Sequence, residues 1–434
     1  MKVAFHTLGC KVNQYETEVI RQAFIREGYE PCDESEIADV YIVNSCTVTG
    51  ASDKKTISAL RRFRRLNPSA CIAVTGCFSQ AFPKDAQLMR YCDVVTGANN
   101  KNRLVELVGQ YLLTHIPIVE ITPHDSKELF EPMKITAMEG HTRAFVKIED
   151  GCDRFCSYCI IPLARGRVRS KPLDELKTEL MGLAEGGYKE VVLVGINLSL
   201  YGYGDENGHS LLDAVRVACD TDGIERVRLG SLEPDTLTLS DIEQLAVMPK
   251  LCDQFHLSLQ SGCDATLLRM NRGYSTKQYA DIVSALRKHF PNCAITTDIM
   301  VGFAGETDVE FAQSLEFARK IGFARTHVFA YSQREGTAAN NMAQQINADT
   351  KRKRSLQMKN LAKKSRSKFL ESQVGRVFPV LFEANVYENG REGHTCNYTP
   401  VRVDEEVVEK GLHRFIKCVK IVRAMQDYCI GELV

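Results

Sequence analysis

The sequence predicts an α/β protein in three parts: an N-terminal open parallel α/β domain, a partial (βα)6 barrel, and a C-terminal small all-β barrel. Three observations predict it. Short apolar runs, each followed by an amphipathic helix, recur from the first residues to about Leu113. A second series of the same kind fills the middle of the chain. From about Val374 the helical period gives way to alternating apolar residues punctuated by glycine. Alternating βα units imply a parallel sheet covered by helices, whereas short strands with frequent turn signals imply a small barrel.

In the first series, Lys2–Thr7 reads as a buried strand and Gln14–Glu27 as a helix with Val19, Ile20, Ala23 and Phe24 on one face. Val40–Asn44 and Cys71–Thr75 are further core strands, each followed by a helix. Thr114–His141 contains Pro117, Pro123 and Pro132 and reads as an irregular linker with room for an edge strand. The second series has strand cores at Ala144–Ile148, Val191–Val194, Val227–Leu229, Phe255–Leu259, Ile295–Val301 and Thr326–Ala330. Leu176, Leu180 and Leu183, then Phe311, Leu315 and Ala318, mark amphipathic helices between them. In a (βα) barrel, reactive groups gather at the C-terminal ends of the strands. Ala348–Gln373 is a long helix rich in Lys and Arg. Val377, Val380 and Phe382, then Phe415 to Val422, alternate among Gly375, Gly390, Gly393, Gly411 and Gly431. The expected domain limits are 1–113, 138–370 and 371–434.

The chain has 434 residues, 25% charged and 44% hydrophobic, which is ordinary for a globular protein. Its 55 basic residues balance 55 acidic ones, so any attraction for nucleic acid must come from local patches. Arg61, Arg62, Arg64 and Arg65 cluster on one helix, and Lys351, Arg352, Lys353 and Arg354 open another; either run is equally readable as a solvated face. No apolar run approaches the ~18 residues of a membrane span, and the start of the chain lacks a secretory apolar stretch, so a cytoplasmic protein is expected. Sixteen cysteines are then many. In a reducing compartment, clustered cysteines more often bind metal than pair as disulfides.

The sharpest cluster is Cys152-Asp153-Arg154-Phe155-Cys156-Ser157-Tyr158-Cys159, directly after a predicted strand. Three thiolates from one loop can hold three irons of a [4Fe–4S] cube and leave the fourth open. A tetrahedral zinc site is the alternative, although structural zinc sites usually show paired C-x2-C halves and need a fourth ligand. Cys10, Cys46 and Cys77 share a different context: each follows a predicted strand of the first series. Residues after the strand ends of an open parallel sheet converge on one crevice, and three soft ligands there suit a second iron–sulfur cluster. Cys32, Cys71, Cys92, Cys219, Cys252, Cys263, Cys293, Cys396, Cys418 and Cys429 lack this placement and read as core or surface thiols.

The C-x3-C-x2-C spacing at the first strand of a six-unit βα barrel resembles the radical S-adenosylmethionine (SAM) superfamily. Both cysteine sets in this order, with Phe155-Cys156-Ser157-Tyr158-Cys159-Ile160-Ile161-Pro162, Phe255-His256-Leu257-Ser258-Leu259-Gln260-Ser261-Gly262 and Tyr331-Ser332, look like its methylthiotransferase family. The resemblance spans nearly the whole chain and implies an N-terminal cluster domain, a radical SAM domain and a C-terminal TRAM domain that touches RNA. It implies two [4Fe–4S] clusters and two uses of SAM, one as methyl donor and one as the source of a 5′-deoxyadenosyl radical. Gly9-Cys10-Lys11-Val12-Asn13-Gln14-Tyr15-Glu16 is similar to the branch that methylthiolates C2 of N6-threonylcarbamoyladenosine at position 37 of tRNA. Isopentenyladenosine in tRNA or a ribosomal-protein aspartate are the alternative substrates, and a zinc-stabilised RNA-binding protein is the alternative outside the enzymes. By position on the barrel top, Gly195, Asn197, Glu233, Gln260 and Phe303 are expected to meet SAM, and Arg165 and Arg167 a substrate phosphate. An electron donor is also implied. Ala304 stands where the family usually has proline, as do Ala330 and Ala338; the loss frees a backbone φ but removes no reactive group.

Overall fold

The computed structural model describes residues 1–125, 127–387, 390–404 and 414–434. The first part is a six-stranded, all-parallel sheet. Its elements are β1 (Lys2–Thr7), α1 (Lys11–Arg26), β2 (Glu30–Cys32), β3 (Val40–Ser45), α2 (Gly50–Leu66), β4 (Cys71–Gly76), α3 (Cys77–Ala81), α4 (Ala86–Tyr91), β5 (Val94–Thr96), α5 (Leu104–Thr114) and β6 (Ile118–Glu120). The strand order β2-β1-β3-β4-β5-β6 reverses direction of winding at β1/β3, the place where open α/β sheets bind their ligands. Thr114–His141 does carry an edge strand, β6, but it is not loose. Met133, Ile135 and Met138 are buried in the neighbouring core, and the Tyr15 hydroxyl donates to the Met133 carbonyl at 2.9 Å.

The middle part contains β7 (Ala144–Lys147), β8 (Glu149–Asp150), α6 (Ile161–Arg165), β9 (Arg169–Ser170), α7 (Leu173–Glu185), β10 (Glu190–Val194), α8 (Leu211–Asp220), β11 (Arg226–Leu229), β12 (Ser231–Leu232), α9 (Leu239–Ala246), β13 (Gln254–Leu257), α10 (Asp264–Arg269), α11 (Thr276–His289), β14 (Ala294–Val301), α12 (Asp308–Ile321) and β15 (Arg325–Ala330). Two parallel sheets, β11-β10-β7 and β12-β13-β14-β15, follow one another around an incomplete barrel. β11 passes into β12 through Gly230. On β14 buried Ile295, Thr297, Ile299 and Val301 alternate with half-buried Thr296, Asp298 and Met300, the two-residue period of a strand with one face on a core and the other toward an interior. The long helix α13 (Ala348–Glu371) backs this sheet, with Met358 buried in the barrel's core.

The expectation of one apolar face for α1 is incomplete. Ile20 and Phe24 pack on the helix's own sheet, while Val12, Tyr15 and Val19 belong to the barrel core. The helix is therefore the wall shared by the two parts.

The last part is a closed barrel of β16 (Val377–Tyr387), β17 (Gly390–His394), β18 (Pro400–Val403), β19 (Ile416–Ala424) and β20 (Cys429–Leu433), in the order β16-β17-β18-β20-β19. Gly411, one of the glycines that punctuate this stretch, lies outside the described residues. Its loop after β17 seats under the middle barrel. Arg226 donates to the His394 and Pro379 carbonyls at 2.9 and 2.5 Å, Arg228 to the Cys396 carbonyl at 2.8 Å, and both Arg228 and Arg143 lie over the Tyr398 ring. Cys252 and Cys396 are neighbours across this seam; a hydrogen bond from Cys252 brings the Cys396 thiol down to about 7.

Glu190 at the seam is fully buried and pairs with Arg143, Arg226 and Arg228. Burial opposes its charge, yet Arg228 and Arg143 hold its carboxyl down at about 2, against 4.5 for a free glutamate. A depressed carboxyl contributes stability above its unfolded pKa and loses it as pH falls toward the folded one. The seam should hold above pH about 4.5 and weaken from there toward pH 2. Acid titration followed by circular dichroism checks this: Glu190→Gln should flatten that limb, and an unchanged limb would contradict it.

Candidate functional site

The first thiol triad is built at the sheet's switch point. Cys10 caps α1 without a side-chain cap bond, Cys46 follows β3, and Cys77 opens α3 directly after β4. Gly9 has φ +110°, and a Cβ there would lie 2.8 Å from Cys46 Cβ and 3.0 Å from Cys46 Sγ. Only glycine lets the Cys10 and Cys46 loops meet this closely. Asn13 pins the arrangement, donating through Nδ2 to the Leu8 and Ser45 carbonyls at 2.7 and 3.0 Å. Cys46 and Cys77 are buried, while Cys10 is open to solvent. Burial still pushes Cys10 up, opposed by the Arg165 charge. Burial, with Cys77 nearby, pushes Cys46 up to about 11.

The second triad lies on the loop between β8 and α6. Cys152 N–H donates to the Gly166 carbonyl at 3.1 Å, Cys159 N–H to the Cys156 carbonyl at 2.9 Å, and Ser157 N–H to the Met270 carbonyl at 3.0 Å. These bonds curl the loop so that its thiols come together. Burial pushes Cys152 up to about 11 and Cys159 up to about 12.

Each triad has N–H donors aimed at sulfur. Arg165 Nε reaches Cys77 Sγ at 3.1 Å, Asn197 Nδ2 reaches Cys152 Sγ at 3.4 Å, and Arg272 Nη1 reaches Cys156 Sγ at 3.3 Å. Two of these donors are cationic guanidinium groups, which suits thiolate or cluster sulfur better than neutral thiol. Among the described residues no group of three or more His, Cys, Asp or Glu is placed to hold a single metal ion. All-sulfur donor sets of three, with donors around them, fit iron–sulfur clusters.

Two unspent acceptors lie beside the second triad. Glu149 Oε2 accepts from the Asn197 backbone N–H at 2.6 Å, but Glu149 Oε1 and Asn197 Oδ1 are buried and find no hydrogen-bond partner among the described residues. Both lie beside Cys152. A Cβ at Gly195 would sit 2.5 Å from Glu149 Oε2, so this close approach requires glycine. Buried acceptors without donors are costly, and an ammonium group here would relieve two of them.

Most of the expected barrel-top residues gather here. Gly195 and Asn197 are beside Cys152. Glu233 pairs with Arg272, which carries it to Cys156; the helix that follows is capped by Thr238 instead. Gln260 has φ +65° and bridges Ile299 through its backbone. Two expectations need correction. Phe303 is 0% exposed, its ring edge-on to Tyr331 at 5.1 Å and Tyr158 at 6.4 Å, so it props the cluster loop from behind and has no free face for an adenine. Arg165 is also 0% exposed. Its guanidinium is spent on Glu16 at 2.5 and 3.0 Å, Asn13 at 2.6 Å and Cys77, so no RNA phosphate reaches it. Two charges from one short stretch were indistinguishable by sequence; burial separates them. Arg167 is exposed and lies over the Phe155 ring at 5.1 Å.

Arg165 also joins the two triads. It ends α6, six residues after Cys159, and touches Cys77; Cys77, Ala81, Ile160 and Ala164 pack as one apolar cluster between the two loops. Sequence reasoning missed Arg272, which lies far along the chain from the cysteines of both triads, and the interior residues His256, His327 and Phe329. The last is 48% exposed.

Comparisons with known proteins agree with this geometry. The model of the Uncharacterized protein family UPF0004 matches residues 2–97, and that of the Radical SAM superfamily matches residues 146–318. The chain is 37% identical over 439 residues to the threonylcarbamoyladenosine tRNA methylthiotransferase of Bacillus subtilis (strain 168), covering 100% of this chain and 96% of that one. It is 35% identical over 384 residues to the tRNA-2-methylthio-N(6)-dimethylallyladenosine synthase of Pelotomaculum thermopropionicum, covering 86% and 85%. Among solved structures, the radical SAM methyltransferase TsrM from Kitasatospora setae superposes with a TM-score of 0.57 at 15% identity, over 78% of this chain and 77% of that one, a likeness of fold. The chain belongs to the methylthiotransferase family of radical SAM enzymes.

Proposed function

We propose that this enzyme methylthiolates C2 of N6-threonylcarbamoyladenosine at position 37 of tRNA, with one [4Fe–4S] cluster on Cys10, Cys46 and Cys77 and a second on Cys152, Cys156 and Cys159. The observation that carries the reading is the direct link between the triads: one buried arginine, Arg165, leaves the loop of the second and donates to a sulfur of the first. Two sulfur-lined sites so joined serve a single base. When bound, cluster and SAM together supply a 5′-deoxyadenosyl radical, which suits an aromatic C–H too weakly acidic for a general base.

The chain's own residues bind, orient and exclude water. Glu149 and Asn197 hold the SAM ammonium next to Cys152, and Gly195 keeps that space clear. Arg272 couples Glu233 to Cys156. Gln260 and Phe329 line the interior, where a splayed base stacks on an aromatic ring as single-stranded RNA bases do. Arg167 and Phe155 stand at the rim. An electron donor must reduce the cluster from outside, and the reaction belongs in the cytoplasm, where tRNA is found.

The names of the relatives support tRNA as substrate, and those at 37% identity support the threonylcarbamoyl branch. The dimethylallyl synthases at 35% and below favour isopentenyladenosine as the second reading. Nucleoside mass spectrometry of tRNA from a deletion strain separates the two. The expected result is loss of the 2-methylthio threonylcarbamoyl nucleoside with the isopentenyl one retained. The reverse pattern would overturn the assignment.

A further inference from the structure

We propose that the groove between α2 and α4 is a track for the RNA backbone flanking the modified nucleotide, an inference that rests on the tRNA reading above. The groove encloses about 720 Å³ and is lined by Lys54, Ile57, Arg61, Arg65, Phe78 and Tyr91, among others. Positions 54, 58, 61 and 65 repeat at helical spacing, so these side chains share one face of α2. At 1.5 Å per residue, Lys54 and Arg65 lie roughly 16 Å apart along the axis, the span of about five nucleotides in a helical strand.

The structure sorts the basic residues noted in the sequence. Arg64 is turned inward to Asp93 at 2.6 Å and to backbone carbonyls. Arg62 lies on Phe63 and pairs with Glu34. On α13, Arg354 is buried against Glu306 and Asp308, and Arg352 pairs with Asp349. Lys54 and Arg65, by contrast, are exposed and take part in no ion pair among the described residues. Arg61 lies over Tyr91 at 5.5 Å. The acids of the groove are already spent: Asp53 pairs with Arg334 at 2.6 Å, and Asp85 caps α4.

The direction of the groove favours RNA. Its inner end is Phe78, next to Cys77, and Asp53, whose partner Arg334 also donates to Thr47 beside Cys46. The track thus begins at the loops of the first triad and runs outward. A base held at the triads would place its neighbouring phosphates on this face. A cationic groove with an aromatic wall is the form single-strand sites take.

The test uses the full-length, cluster-loaded protein and a fluorescein-labelled anticodon stem-loop RNA, with affinity measured between 50 and 200 mM salt. Each phosphate contact on a single strand contributes about 0.7 to the salt slope. The double variant Lys54→Gln/Arg65→Gln should lower the slope by about 1.4 and weaken binding roughly 25-fold at 0.1 M salt. Both side chains are exposed and have no ion-pair partner among the described residues, so folding, iron content and RNA-independent SAM cleavage should be unchanged. A control at Lys353→Gln should bind as wild type. Wild-type slope and affinity in the double variant would overturn the track while leaving the tRNA reading intact. If the double variant binds RNA normally but is reduced more slowly by a flavodoxin-type donor, the groove is instead a docking face for an acidic protein, and the proposal falls. A wild-type protein that binds no stem-loop at all would strike at the tRNA reading itself.

Discussion

Replacing Cys156 with alanine leaves the anaerobically purified protein with about four iron atoms instead of about eight and without SAM cleavage. The argument is local. Cys152, Cys156 and Cys159 are held on one loop whose backbone is tied to Gly166 and Met270, and no other cysteine joins that loop to replace a lost ligand. Two thiolates do not retain a cube whose fourth iron is kept for SAM. Cys46→Ala halves the iron in the same way but acts at the other site, so SAM cleavage persists while sulfur insertion stops. Iron and sulfide analysis, paired with assays of 5′-deoxyadenosine and of the modified nucleoside, checks both variants. Full product from Cys46→Ala would show that the first triad is dispensable. Stoichiometric zinc in the wild type would remove the enzymatic reading.

Arg165→Leu should destabilise the contact between the first two parts by about 3–5 kcal/mol, the usual cost of removing one partner from a buried ion network. The change strips Glu16, Asp150 and Asn13 of their shared donor, and leaves Lys147 and Lys101 as the remaining counter-charges to Glu16. The Arg165 charge is held well above the ordinary guanidinium range by Cys77, Glu16 and Asp150, against the opposing effect of burial, so the site is built for a cation. Denaturant unfolding of the cluster-loaded protein should show the N-terminal transition at a lower midpoint. Arg165→Lys keeps the charge without the planar fork and should recover part of that stability but not the donor to Cys77. A midpoint unchanged in Arg165→Leu would contradict the role assigned to this residue.

The architecture was legible in the sequence wherever one strand or helix buries a continuous apolar run. All six predicted barrel strands, from Ala144 to Ala330, appear within a few residues of their expected limits, because burial on both sides of a parallel sheet requires such runs. The cysteine triads were legible for a related reason: residues directly after parallel strands must share one edge. What the sequence hid was long-range pairing of polar residues. Arg165, 149 positions from Glu16, reads locally as one charge beside another. Phe303 reads as a loop aromatic until Tyr158 and Tyr331 close over it. The under-barrel seam of Glu190, Arg143 and Arg228 with Tyr398 joins strand starts to a loop some 170–255 positions away, and no local period reports that. The contact between Cys252 and Cys396 was hidden on the same account.

Anomalous scattering at the iron edge, from crystals of the protein grown and kept under anaerobic conditions, addresses the six cysteines directly. Two iron peaks are expected, one within bonding distance of Cys10, Cys46 and Cys77 and one of Cys152, Cys156 and Cys159, with Arg165 between them. A single peak, or a second one bound by any other cysteines, would contradict the assignment.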